Sequence, residues 1–181
     1  MHRAPVLQLL RAHEDRATDS HEAATVRETL HFVETHPHCL SRQCASGHLT
    51  GSAWVVSPDR RQTLLTHHLK LEKWVQLGGH ADGDGDLLAV ALREAQEESG
   101  LTAVRPVSAE LFDVDRHWIP DRRNEPGHFH YDLRFIFEAD PADALAISSE
   151  SKTLAWVDLA QVAVLNPEES MARMVRKTIA P

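Results

Sequence analysis

Cysteine is scarce in this chain: two residues, Cys39 and Cys44, among 181. Two thiols are too few for a disulfide framework or a structural zinc site, and they suit a reducing compartment, so a cytoplasmic location is expected. No apolar run approaches the ~20 residues needed to cross a bilayer, and no signal peptide opens the chain, so no membrane contact is expected. Repeats, low-complexity segments and linkers are lacking too, and the length suits one domain, residues 1–181. Positive charge is outnumbered, with 19 Lys and Arg against 27 Asp and Glu and a net charge of −8. Such a surface repels nucleic acid and anionic membranes, so neither is an expected partner. An anionic substrate would need local cations, either metal or arginine. Histidine is abundant at 13 residues, and part of that set should titrate near neutral pH.

Periodicity places the elements. Pro5 to His13 reads as a short helix. Asp19 and Glu22 form an N-terminal capping pair for a second, with Ala23, Val26, Leu30 and Val33 on its inner stripe and Pro37 stopping it. This helical lead-in fills residues 1–45 and carries no chemical motif; it could cap one end of the fold or form a homodimer contact. Strands are expected at Ser52–Ser57, Thr63–His68 and Trp74–Leu77, the first two joined by a turn at Pro58–Arg61. Further on, Glu110–Ile119 alternates, with Phe112, Val114 and Trp118 opposite Asp113, Asp115 and His117. After a loop at Pro120–Gly127, His128–Glu138 alternates along almost its whole length. Its apolar face is Phe129, Tyr131, Leu133, Phe135 and Phe137; its polar face is His128, His130, Asp132, Arg134 and Glu138. Thr153–Val157 is a last strand. Asn166 and Pro167 then open a C-terminal helix with Met171, Met174, Val175 and Ile179 inward. The order suits a mixed sheet between helical layers, an α/β fold.

The chemistry concentrates in Gly78–Leu101, GGHADGDGDLLAVALREAQEESGL. At about 100° per residue, Glu94, Glu97 and Glu98 share an arc of roughly 100° on one side of a helix. Leu88, Ala91, Leu92 and Ala95 form the neighbouring apolar stripe. Asp84 or Asp86 can cap the start, and Gly100 suits the left-handed residue at the end. Three carboxylates at this spacing repel one another, and a hard divalent cation with oxygen ligands relieves that. A solvated acidic face is the plainer alternative. It leaves unexplained the Gly78–Gly79 loop before the helix and Arg93 one turn before Glu97.

This stretch resembles the Nudix box, G-x5-E-x7-R-E-U-x-E-E-x-G-U with U aliphatic. Gly79, Arg93, Glu94, Ala95, Glu97, Glu98, Gly100 and Leu101 fit it, and together they span about an eighth of the chain. One position departs: the first box glutamate falls on Gly85, between Asp84 and Asp86. In the family that residue braces the turn into the helix, so a neighbouring aspartate would have to substitute. The resemblance implies a Nudix-like α/β/α sandwich over residues 46–181, with residues 1–45 as an N-terminal extension. It implies hydrolysis of the pyrophosphate linkage of a small-molecule nucleoside diphosphate derivative. The cofactor would be Mg²⁺ or Mn²⁺, held by Glu94, Glu97, Glu98 and the Gly78 carbonyl. Arg93 would orient Glu97 or Glu94. The general base would be Glu94 or Glu98, with Glu125 and Glu150 as distal candidates.

Substrate contacts are expected from His80, inside the Gly-Gly loop, and from His130 and Arg134 on the polar strand face; His67 and His68 flank the same region. Two rival readings stay open. His128-x-His130-x-Asp132 puts three ligand types on one strand face, with His117 nearby, and could hold a transition metal. Alternatively, the loss at Gly85 could mark a binding or sensor domain that no longer turns substrate over. An isomerase acting on isopentenyl diphosphate would want an active-site cysteine, and both cysteines precede the core.

Overall fold

The computed structural model describes residues 2–17, 19–69, 71–121, 126–148 and 151–180. Glu125 and Glu150, the two distal candidates for the general base, lie outside the described residues, as does half of the Pro120–Gly127 loop. The helices are α1 (Ala4–Glu14), α2 (Ser20–Thr35), α3 (Leu87–Ser99), α4 (Val162–Leu165) and α5 (Glu169–Ile179). The strands are β1 (Gly47–Val56), β2 (Gln62–His68), β3 (Trp74–Val75), β4 (Leu77–His80), β5 (Arg105–Pro106), β6 (Asp113–Ile119), β7 (His128–Glu138) and β8 (Ser151–Asp158). In hydrogen-bonded order the strands run β3-β2-β1-β7-β5, with β4 also on β1, β6 also on β7 and β8 also on β2. No helix among the described residues is long and apolar enough to cross a membrane. Two compact units result, each assembled from three stretches of chain, and β1, β4, α3 and β7 pass from one into the other.

The first unit comprises residues 1–51, 79–90 and 109–135. Helix α2 starts where the capping pair placed it: the Asp19 side chain accepts the Glu22 N–H at 2.9 Å. Its inner face, however, is Glu22, Thr25, Val26, Thr29, Phe32 and Val33, while Ala23 and Leu30 are only half-buried. The expected stripe is turned by about one residue because its polar members are satisfied locally. Thr25 and Thr29 donate to carbonyls four residues back, and the buried Glu22 carboxylate meets His13 Nε2 at 2.7 Å and accepts the Val114 N–H at 3.2 Å. The lead-in helices therefore pack onto β6. A further pair on the same side joins Arg116 to Glu28 at 2.9 Å. Strands β6 and β7 pair antiparallel from Asp113↔Arg134 to Ile119↔His128. Trp118, expected inward, is 51% exposed; it sits at the outer end of that ladder, edge-on to Phe129.

The second unit comprises residues 52–78, 91–108 and 136–181. Its ladder centres on β2, which pairs with β8 along its whole length (Gln62↔Asp158 to His68↔Ser151) and with β3 at Thr66↔Val75. Trp54, Leu64, Leu65, Ala91, Ala95, Phe137, Met171 and Met174 form its core. At the C terminus, Asn166 does not begin the helix. It closes a turn ahead of α5, accepting the Glu168 N–H at 3.0 Å and donating to the Trp74 carbonyl at 2.9 Å. Ile179, expected inward, is 65% exposed. Thr178 faces inward in its place, because the buried Trp54 indole N–H needs an acceptor and finds Thr178 Oγ1 at 2.8 Å.

Two departures among the strands bear on the site. Strand β1 begins at Gly47 rather than Ser52, and all ten of its residues are buried, so no alternation advertises its first half. The expected single strand Trp74–Leu77 is two short ones, β3 and β4, with the glycine pair inside β4. Thr178→Val should destabilise the protein by about 1–3 kcal/mol, since it leaves the Trp54 N–H buried without its acceptor. Urea unfolding followed by tryptophan fluorescence reads this directly.

Candidate active site

Helix α3 begins on two nested side-chain bonds. Asp84 Oδ1 accepts the Asp86 N–H at 2.9 Å, and Asp86 Oδ1 accepts the Ala89 N–H at 3.1 Å, so Asp86 is the N-cap. At Gly85 a side chain would meet main chain: an ideal Cβ would stand 2.4 Å from the His2 carbonyl oxygen. The turn is held by the aspartates on either side instead. The helix ends at Gly100, whose φ of 72° is the left-handed conformation expected there.

The inner stripe is Leu87, Val90, Ala91 and Ala95, with Leu88 and Leu92 only half-buried. That one-residue rotation from the expected stripe carries Glu98 inward, to 7% exposure. A carboxylate so far from water needs donors, and Glu98 Oε2 accepts the Gly78 N–H at 3.0 Å. The sequence thus joins the loop and helix halves of the motif through one hydrogen bond. A Cβ on Gly78 would stand 2.3 Å from Ser52 Oγ and 2.8 Å from Ser52 Cα, so this close approach excludes any side chain. Glu94 lies one turn before Glu98, half-buried, and accepts from Arg93 Nη2 at 3.1 Å. Glu97 is exposed. All the donors offered are oxygens, one from a sheltered carboxylate, which is the set a hard divalent cation takes.

The NUDIX domain model matches residues 48–178. The chain belongs to the Nudix family. Solved structures share its fold at low identity. An Ap4A hydrolase of C. elegans in a binary complex is 16% identical with a TM-score of 0.57, covering 71% of this chain and 93% of its own. A Nudix-family hydrolase of Clostridium perfringens is 22% identical with a TM-score of 0.54, covering 72% and 95%. The E. coli dihydroneopterin triphosphate pyrophosphohydrolase is 12% identical with a TM-score of 0.56, covering 71% and 92%. No curated protein matches the sequence. The chain has the Nudix α/β fold that the box led us to expect, with two helices before it. Nudix hydrolases as a family act on nucleoside diphosphates linked to another group and generally use divalent metal ions.

The three residues expected at the substrate are placed differently from one another. Arg134 is 3% exposed, and its guanidinium pairs with Asp132 at 2.8 Å, Asp113 at 3.2 Å and Asp115 at 3.2 Å. Thr50 Oγ1 also donates to Asp132, at 2.8 Å. Burial works to lower the Arg134 pKa, and the aspartates outweigh it and raise the value, so the group stays charged. The register Asp113↔Arg134 and Asp115↔Asp132 puts all four charges on one sheet face.

His80 and His130 belong to a cluster of five imidazoles, with ring centroids 5.2 Å apart. His48 on β1 is 4.9 Å from His80, 4.7 Å from His128 and 4.8 Å from His130, and His117 is 5.5 Å from His130. Burial, and then the neighbouring His80 and His128, lower the His48 pKa to about 4; burial, then His117 and His48, push His130 down to about 2. These rings are therefore neutral at physiological pH. His48 escaped the sequence reading because the start of β1 shows no pattern. Asp132, grouped with His128 and His130 from the sequence, belongs to the Arg134 network instead. Burial pushes the Cys39 thiol up to about 11, so it carries no thiolate at neutral pH.

Arg134→Met should cost about 3–5 kcal/mol of stability by leaving three buried carboxylates without their cation, read as a lower urea midpoint. A rise in KM at unchanged stability would instead return Arg134 to the substrate. Gly78→Ala should cost about 1–3 kcal/mol through the clash with Ser52, measured the same way.

Proposed function

We propose that this chain hydrolyses the pyrophosphate linkage of a nucleoside diphosphate joined to another group, with Mg²⁺ or Mn²⁺ as cofactor. The observation that carries the reading is the pairing of Glu98 with the Gly78 N–H, which sets the box carboxylates against the box loop. Glu94, Glu97, Glu98 and the Gly78 carbonyl would hold the cation. When bound, it neutralises charge developing on phosphate oxygens and lowers the pKa of the attacking water.

The chain's own groups do the rest. Gly78 fixes Glu98 through its N–H and so presets the direction of that carboxylate. Arg93 donates to Glu94 Oε1, which holds the second carboxylate and limits its repulsion from Glu98. Glu94 or Glu98 accepts the proton of the attacking water at a carboxylate oxygen; the hydroxide adds to one phosphorus as its bond to the bridging oxygen breaks and the other phosphate leaves with that oxygen. The Asp84–Asp86 pair keeps the turn into the helix closed, which favours a working hydrolase over a sensor. Relatives of this fold are named for Ap4A and for dihydroneopterin triphosphate, and the NUDIX domain of Shewanella oneidensis NrtR was crystallised with ADP ribose. The head group is therefore best sought across a wide panel.

Release of phosphate or nucleoside monophosphate is expected from at least one compound of a nucleoside diphosphate panel in Mg²⁺ or Mn²⁺. Glu97→Gln and Glu98→Gln should lower kcat by about 10²-fold or more, as expected when charge stabilisation at the reacting phosphate is lost. No turnover across the panel by the wild-type chain would favour the sensor reading.

A further inference from the structure

The histidine cluster has no task in the hydrolysis just described, and its geometry is that of a ligand set. His48, His128 and His130 each offer a ring nitrogen, and the three atoms lie within 4.8 Å of one another. His128 Nε2 and His130 Nε2 are 3.2 Å apart. Two nitrogens on one tetrahedral zinc, at Zn–N of about 2.0–2.1 Å, stand about 3.3 Å apart. That pair is therefore already at coordination distance.

The orientation of His128 fits the same end. Its Nδ1 lies 2.8 Å from the Pro126 carbonyl oxygen, which can only accept, so Nδ1 carries the proton and Nε2 presents its lone pair to His130. Metal-bound histidines are commonly fixed in this way, by a carbonyl taking the other ring N–H. His48 supplies the independent observation. It is 1% exposed, and neither of its ring nitrogens has a hydrogen-bond partner among the described residues. A buried imidazole with no hydrogen-bond partner among the described residues, facing two others, leaves a nitrogen lone pair that a cation between the three would take.

We propose that His48, His128 and His130 bind one divalent transition-metal ion of the zinc class. The donors are three imidazoles with no carboxylate among them, a set that suits zinc, copper, nickel or iron and not Mg²⁺ or Ca²⁺. Asp132 is no ligand, being held by Arg134. Three histidines leave a fourth position for water or another donor. The site contains no residue of the Glu94–Glu98 row, so it stands or falls apart from the hydrolase reading.

The test uses the full chain stripped with chelator and returned to excess Mg²⁺, then titrated with Zn²⁺ alone against a chromophoric competitor. One equivalent should bind. His130→Gln and His48→Gln should each weaken that binding by at least about tenfold. Glu97→Gln should leave it unchanged. With Co²⁺ as the probe, the wild type should show visible ligand-field absorption that His130→Gln loses. Equal Zn²⁺ affinity in His130→Gln, loss of the ion on Glu97→Gln, or no equivalent bound by the wild type would each overturn the proposal. Circular dichroism checks each fold. Should His48→Gln not fold, His130→Gln, at a half-buried position, decides alone.

Discussion

A charge or polar group taken out of water must find a partner, and in a chain of net charge −8 that requirement falls mostly on carboxylates. Much of what is particular to this fold follows from it. Glu22 sits inside α2's packed face only because His13 and the Val114 N–H meet it there. Asp113, Asp115 and Asp132 are buried around Arg134, whose guanidinium enters among them. Glu98 turns inward where a glycine brings a backbone N–H within 3.0 Å. In each case a long-range contact decides which side of an element faces the interior.

The same requirement separates structural charge from chemical charge. The Arg134 network is closed: its cation is saturated by three carboxylates, and burying such a group further from solvent would gain nothing for a phosphate. The Glu94–Glu98 row is open. One carboxylate is anchored on the loop backbone, one on Arg93, and Glu97 reaches solvent. An acidic row held in place by donors on two sides keeps its repulsion in store until a cation arrives. The histidine cluster is open in another sense: burial holds His48 and His130 neutral, and His128 directs its Nε2 lone pair towards His130.

Helix α3 could be read in the sequence because everything that defines it is local. The 3.6-residue period, the aspartates before it and the glycine after it all act within a turn or two. Strand β7 could be read likewise, residue for residue, from its alternation. The first half of β1 could not: Gly47, His48, Leu49, Thr50 and Gly51 are buried on both faces and show no period. With that half missing, His48 was missing, and the cluster lost its middle member. The surroundings of Arg134 were hidden for a different cause. A polar strand face looks the same in sequence whether it meets solvent, substrate or the aspartates of a neighbouring strand.

By itself the sequence determined the α/β succession, the box helix with its three glutamates, and the Nudix family to which they point. Those depend on spacing along one element, which the chain carries with it wherever it folds. Only the tertiary structure decided that Glu98 faces inward onto Gly78, that Arg134 is locked among aspartates, and that five histidines from four strands meet. Strand register and helix rotation set those contacts, and both are settled by how buried polar groups across tens of residues satisfy one another.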